Sequence, residues 1–188
     1  MVYRIYRVRD IVRIPPEKFN KPLEEAAFDE LRKNYEGMIT KNMGVIVTVL
    51  DVKVEPQGRI IIGDGATYHD AEFTLLAFHP FLKEVVEGEI NTVLSHGVFV
   101  DLGAQDGFIH VSQIADEKIE YDPTRPALIL KQSRRLLERG DRVRARIYNI
   151  AVLPGKGLRM QLTMRQPLMG KIEWIKKALE KKSKESGK

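Results

Sequence analysis

The segment from Gly88 to Ile114, GEINTVLSHGVFVDLGAQDGFIHVSQI, limits what this chain can become more than any other. It divides into three short pieces, each with apolar residues at alternate positions and each closed by glycine. Alternation with a period of two is the mark of a strand with one wet face, so the segment predicts three short strands. In the middle piece Val98, Val100 and Leu102 fall on one side, and Phe99 and Asp101 on the other. In the third, Ile109 and Val111 fall inward, and Phe108 and His110 outward. Phe99, Phe108 and His110 are therefore expected on one solvent-facing sheet surface. Water disfavours exposed rings, and a nucleobase offers a flat face to stack on each of them. Packing in a corner of the sheet, or beneath a partner, would account for the same rings.

Two more strands follow. Arg142 to Ile150 alternates, with Val143, Ala145 and Ile147 on one face and Arg142, Arg144, Arg146 and Tyr148 on the other. Leu158 to Met164 places Met160, Leu162 and Met164 inward and Arg159, Gln161 and Thr163 outward. Five short antiparallel strands with glycine-marked turns predict an all-β, five-stranded barrel of the oligonucleotide-binding (OB) type. Arg142, Arg144, Arg146 and Arg159, with Lys156 on the loop between the strands and Arg165 after the second, form an alternating basic edge. Asp141 is the one acid close by in sequence. Such an edge suits phosphate contacts, which add affinity without sequence choice and weaken with salt; a solvated strand face has the same pattern. The connection 115–140 is longer than the barrel needs and reads as an insertion with a functional surface.

The first 80 residues are organised differently. Tyr3 to Ile14 reads as a strand stopped by Pro15 and Pro16, since proline lacks the ladder donor. Pro22 suits a first helical position, with Glu24 and Glu25 at the positive end of the helix dipole. Leu23, Ala27, Leu31 and Tyr35 follow at helical spacing, and Gly37 suits a helix stop. Met43 to Val54 is a strand, Glu55 to Gly58 a turn, Arg59 to Ile62 a second strand, and Phe73 to Phe78 a third. The result is an α+β sheet with one covering helix. Gly63-Asp64-Gly65 is not a phosphate loop, because no Lys-Ser/Thr pair or following helix completes one. After the second block, Leu168, Ile172, Ile175 and Leu179 fall on one face of a C-terminal helix that runs into a lysine-rich tail. Trp174 fits packing on its own domain and gripping a partner equally.

With 188 residues and a formal net charge of +5, the chain has a mild basic bias that suits a polyanion. It has no cysteine, so disulfides and thiolate metal sites are excluded and a cytoplasmic location is the simpler expectation. No apolar run approaches the length of a membrane span. The four histidines, His69, His79, His96 and His110, show no ligand spacing, so no metal or cofactor is expected. No base-and-nucleophile set surrounds Asp64 and Asp70, so no catalytic site is expected.

Gly88, the run Ser95-His96-Gly97-Val98-Phe99-Val100-Asp101-Leu102-Gly103, and the run from Asp106 through His110-Val111-Ser112 to Ile114 together resemble the S-one-type RNA-binding barrel. A wider set of residues narrows the resemblance. It comprises Val12 to Pro16, Tyr35-Glu36-Gly37, Asp51-Val52, Gly63 to His69 and Thr163 to Pro167. These are similar to the larger stalk subunit of archaeal RNA polymerase, the E-prime family, itself similar to the seventh subunit of eukaryotic polymerase II. The resemblance implies a truncated ribonucleoprotein-like core-docking domain over 1–80, an S-one-type barrel over 81–166 with the insertion 115–140, and a helix and tail over 167–188. It implies docking of the polymerase core through the tips at Pro15, Pro16, Gly63, Asp64 and Gly65. It further implies a heterodimer with the smaller stalk subunit, and nascent single-stranded RNA meeting the rings and arginines. The role would be non-catalytic, in initiation and elongation. An RNA-binding adaptor of translation or RNA decay is the main rival; a nuclease carrying an RNA-binding barrel is another.

Overall fold

The computed structural model describes residues 2–153 and 157–186. Their contacts divide into two compact units, Val2–His79 and the chain from Pro80 onward. In the first unit β1 (Tyr3–Ile14) leads through a short 3-10 turn to α1 (Leu23–Tyr35). β2 (Ile39–Thr40), β3 (Gly44–Ile60) and β4 (Thr67–Phe78) follow. They form one antiparallel sheet in the order β1-β4-β3-β2. Pro22 caps α1 rather than entering it, and the first helical hydrogen bond runs from Ala26 N to the Pro22 carbonyl. Along β4 the residues Ala71, Phe73, Leu75 and Ala77 are buried at every second position. Of these, Ala71, Phe73 and Leu75 meet Ala26, Ala27 and Leu31 of the helix and Val12, Ile46, Val49 and Val52 of the flanking strands, so one sheet face is sealed by one helix.

The turn expected at Glu55 to Gly58 is absent. β3 continues through it, and between Val54 (opposite Ala71) and Gly58 (opposite His69) three residues oppose Asp70 alone. Proline belongs in a strand only at an edge or a bulge, and Pro56 sits in this bulge. The buried His69 ring holds it, with Nδ1 2.9 Å from the Glu55 carbonyl oxygen. A Cβ on Gly58 would lie 2.5 Å from the His69 ring, so only glycine lets the two strands close here.

The second unit contains β5 (Val85–Leu94), β6 (Gly97–Asp101), β7 (Asp106–His110), β8 (Ile119–Asp122), β9 (Ala127–Leu130), β10 (Arg135–Glu138), β11 (Arg142–Leu153), β12 (Gly157–Thr163), β13 (Gly170–Lys171) and α2 (Ile172–Ser186). Six of the strands pair in the order β12-β7-β6-β5-β11-β13, and β12 pairs again with β11, so the series returns to its start. Val98, Val100, Ile109, Val143, Ala145, Ile147, Met160 and Leu162 point inward and are buried, as their alternation predicts. Thr163, expected outward, is buried instead, with its hydroxyl 3.5 Å from the Gln113 carbonyl. The long connection folds as its own antiparallel sheet, β10-β9-β8, over buried Leu128, Leu130 and Leu137. Leu168 does not join the helix: it precedes α2 with φ +62° and is exposed, while Ile175 is buried.

The Gly58 packing is testable. Gly58→Ala should destabilise the first unit by about 1–3 kcal/mol through overpacking, and His69→Ala in the same chain should recover part of that loss in thermal unfolding. Additive losses in the double variant would contradict the contact.

Candidate nucleic-acid interface

β6 and β7 pair with Phe99 opposite Phe108 and Gly97 opposite His110. The register brings the rings together. Phe99 and Phe108 have centroids 5.0 Å apart at 51°, and Phe108 lies 5.6 Å from His96 and 6.4 Å from His110. A side chain on Gly97 would strike Phe108 at 2.6 Å and the Ile109 carbonyl at 2.3 Å, so the missing Cβ is what lets the Phe108 ring lie where it does. Both phenylalanines are half-buried, not fully exposed, while His96 and His110 are exposed. His110 Nδ1 is 2.8 Å from Ser112 Oγ and accepts from the Ser112 amide, which orients the imidazole beside Phe108.

β12 lies parallel to β7 with Gln161 beside Phe108. It adds Arg159, Met160 and Gln161 to a cavity of about 420 Å³ shared with His96, Phe99 and Phe108. Asn149 on β11 donates to Gln161 Oε1 at 3.1 Å, extending the row with amides. Of the predicted cations among the described residues, Arg159 alone lines this cavity. Lys156 lies outside the described residues. Asp141 is not the one acid near the β11 arginines, because β5 sets Glu87 opposite Arg144 and Glu89 opposite Arg142. Arg144 Nε donates to Glu87 Oε1 at 2.7 Å, and Arg165 is ion-paired with Asp116. Arg146 is half-buried with Nε unpartnered. Sequence pattern misses His96 as a ring neighbour, because a hairpin loop has no period to read.

In the first unit the two predicted docking segments meet. Arg13 Nε and Nη2 donate to Asp64 Oδ2 and Oδ1, both at 2.8 Å, and Tyr68 Oη donates to Oδ2 at 2.6 Å. The Gly65 Cα carries no side chain toward Pro16, whose Cγ lies 3.3 Å from where a Cβ would sit. Ile60, Ile61 and Ile62 stand exposed just before this loop, with Ile62 wholly in solvent. Among the described residues no group of three or more His, Asp or Glu side chains could hold a metal ion. No helix there is long and apolar enough to cross a membrane.

Residues 79–152 match the family model "S1 RNA binding domain", and residues 9–65 match "SHS2 domain found in N terminus of Rpb7p/Rpc25p/MJ0397". Fold and matches together define the class: an SHS2 domain followed by an S1 RNA-binding domain. Across both units the chain is 45% identical over 178 residues to DNA-directed RNA polymerase subunit Rpo7 of Saccharolobus shibatae, covering 94% of this chain and 99% of the relative. It is 42% identical over 183 residues to Rpo7 of Sulfolobus acidocaldarius, covering 97% and 100%. To DNA-directed RNA polymerase III subunit RPC8 of Saccharomyces cerevisiae it is 27% identical over 179 residues, covering 92% and 84%. The chain belongs to the Rpo7 family of DNA-directed RNA polymerase subunits.

The Asp64 clamp carries a pH signature. Hydrogen bonds from Arg13, then from Tyr68, hold its carboxyl well below the ordinary 3.8. A carboxylate depressed in the folded state stabilises it above the ordinary titration range, and that contribution is lost as pH falls through the folded value. Thermal stability of the first unit should therefore drop on acidification below about pH 4. Asp64→Asn should lower stability at neutral pH and soften that acid limb; an acid limb identical to the parent's would contradict the clamp.

Proposed function

We propose that this chain is the non-catalytic larger stalk subunit of a DNA-directed RNA polymerase, working in the cytoplasm as a heterodimer with the smaller stalk subunit. The first unit, a truncated ribonucleoprotein-like domain, docks on the polymerase core through the tip at Pro15, Pro16 and Gly63 to Gly65. The ion-paired loop gives that tip a fixed shape, and Ile60 to Ile62 give it apolar surface to bury, which supports the docking role. The second unit, in which β5, β6, β7, β11 and β12 close as a five-stranded OB barrel, holds nascent single-stranded RNA near the exit. Guiding the transcript in this way supports initiation and elongation.

The observation that carries the RNA reading is the cluster of Phe99, Phe108 and His96 in one open cavity with Arg159. Rings supply sequence-tolerant stacking, and the guanidinium supplies a phosphate contact. His110 frames the edge of the stack. Arg142, Arg144, Arg146 and Arg165 belong to the wider basic surface, where Glu87, Glu89 and Asp116 offset much of their charge. The alignment of polymerase relatives over both units disfavours an adaptor of translation or RNA decay, which would share the barrel alone.

Fluorescence anisotropy of labelled single-stranded RNA on the purified heterodimer tests this. Stacking contributes about 1–3 kcal/mol per base, so Phe99→Ala with Phe108→Ala should weaken binding on the order of 10- to 100-fold while circular dichroism reports a folded chain. Undiminished affinity in that folded variant would sink the platform. Arg159→Ala should weaken binding less and reduce the slope of log K against log salt by about 0.7, the value for one phosphate contact on a single strand. An unaltered slope would remove Arg159 from the interface.

A further inference from the structure

A second feature of the S1 unit is used by none of the functions above. Between the β9–β10 loop and α2 runs a groove of about 700 Å³ whose lining includes Ser133, Arg134, Arg135, Lys171, Trp174 and Lys177. Its basic side chains have unlike roles. Lys171 is held 2.7 Å from Asp141 and 3.7 Å from Glu173, so its charge is largely spent inside the fold. Arg135 lies over the Trp174 ring at 5.1 Å. The side chains of Arg134 and Lys177 are exposed and make no hydrogen bond, ion pair or ring contact with any described residue. Among the described residues Glu180 is the one acid on the lining.

The backbone makes the placement of Arg134 informative. Arg134 has φ +53°, a left-handed conformation in which glycine or asparagine is at ease and a longer side chain is strained. The loop is pinned in that shape. Glu117 Oε2 accepts from the amides of Gln132 and Ser133 at 2.7 and 2.9 Å, and Oε1 accepts from Ser133 Oγ at 2.7 Å. Those bonds hold the Glu117 carboxyl below its ordinary value, with Arg135 adding to the effect. A strained arginine on a braced loop, unpaired and facing a groove, invites a functional explanation.

The same geometry narrows the ligand. Trp174 cannot serve as an open stacking platform, because Arg135 covers its ring and its Cε3 lies 3.3 Å from where a Cβ on Gly170 would sit. Leu136, Trp174 and Ala178 give the lining apolar surface, but what distinguishes it is the pair Arg134 and Lys177, whose unpaired cationic side chains suit a chain of phosphates. Lys181, Lys182 and Lys184 follow in the sequence. We infer that this groove is a second RNA contact, one that binds the sugar-phosphate backbone of single-stranded RNA without reading its bases. The inference rests on the RNA reading of the aromatic cavity, and it makes the S1 unit a two-point holder of longer transcripts.

The test uses the heterodimer and two labelled RNAs, one of about six nucleotides and one of about 25, the shorter within the range a single OB fold covers. Arg134→Gly with Lys177→Ala should leave short-RNA affinity unchanged and weaken long-RNA binding by about tenfold. The long-RNA salt slope should shrink by about 1.4, two phosphate contacts at the single-strand value. Arg134→Gly also relieves the left-handed strain, so its melting temperature should hold or rise, which separates lost binding from lost folding. Arg134→Glu with Lys177→Glu should deepen the loss for long RNA only. Long-RNA affinity and salt slope equal to the parent's would overturn the inference. So would displacement by polyglutamate of a probe that RNA cannot displace, since that marks an acidic protein segment as the ligand. Failure of the aromatic cavity would show differently, as absent short-RNA binding in the parent heterodimer.

Discussion

The candidate interface depends on one cross-strand register, Phe99 opposite Phe108 with Gly97 opposite His110. A slip of one residue would turn both rings into the core and send Val98 and Ile109 into water, so burial on one face fixes what appears on the other. Gly97 adds a steric condition. Any side chain there would collide with Phe108 and with the Ile109 carbonyl, and the ring would have to leave its place beside His96 and Phe99. The hydrophobic core therefore specifies the stacking face indirectly, through pairing, before any ligand is present. The rings are half-buried as a result: each has one side in contact with its neighbours and another open to the cavity.

Electrostatics divides the arginines that look alike in sequence. On β11 the outward row faces β5, and the pairing places a carboxylate opposite Arg142 and another opposite Arg144. Cross-strand pairs of opposite charge are a normal way to stabilise a wet sheet face. Arg159, on β12 beside β7, enters the ring cavity, where the acid is Asp106, whose Oδ2 accepts from Asn91 Nδ2 at 2.9 Å. The first unit uses charge differently again. Asp64 receives Arg13 from one segment and Tyr68 from another, and so ties the Pro15-Pro16 turn to the glycine loop.

Much of this is legible from residue order where a period of two or an i, i+4 spacing persists. Val98, Val100 and Ile109, Val143 to Ile147, and the stripe of Ala27 and Leu31 follow their patterns, and β1 has its expected bounds, although its Tyr3 and Ile5 are exposed. What escapes depends on contacts between segments distant in sequence. The bulge at Glu55 to Gln57 reads as a turn because Pro56 and Gly58 are turn residues, yet His69 closes the gap from the neighbouring strand. Glu87 and Glu89 are more than fifty residues from the arginines they face, so no local reading could pair them. Alternation places Gln161 on the outward face, but its position beside Phe108 follows from a parallel pairing that alternation does not reveal. The resemblance to the stalk-subunit family rests on glycines, prolines and aromatics whose order survives where contacts are invisible.

The most direct test of the central claim is nuclear magnetic resonance of the heterodimer with selectively labelled phenylalanine, titrated with a short single-stranded RNA. The account predicts that Phe99 and Phe108 ring signals move upfield and show intermolecular Overhauser contacts to base protons, while Phe73 and Phe78 in the first unit stay still. Contacts from RNA to other parts of the chain, with the Phe99 and Phe108 rings unmoved at saturation, would contradict it.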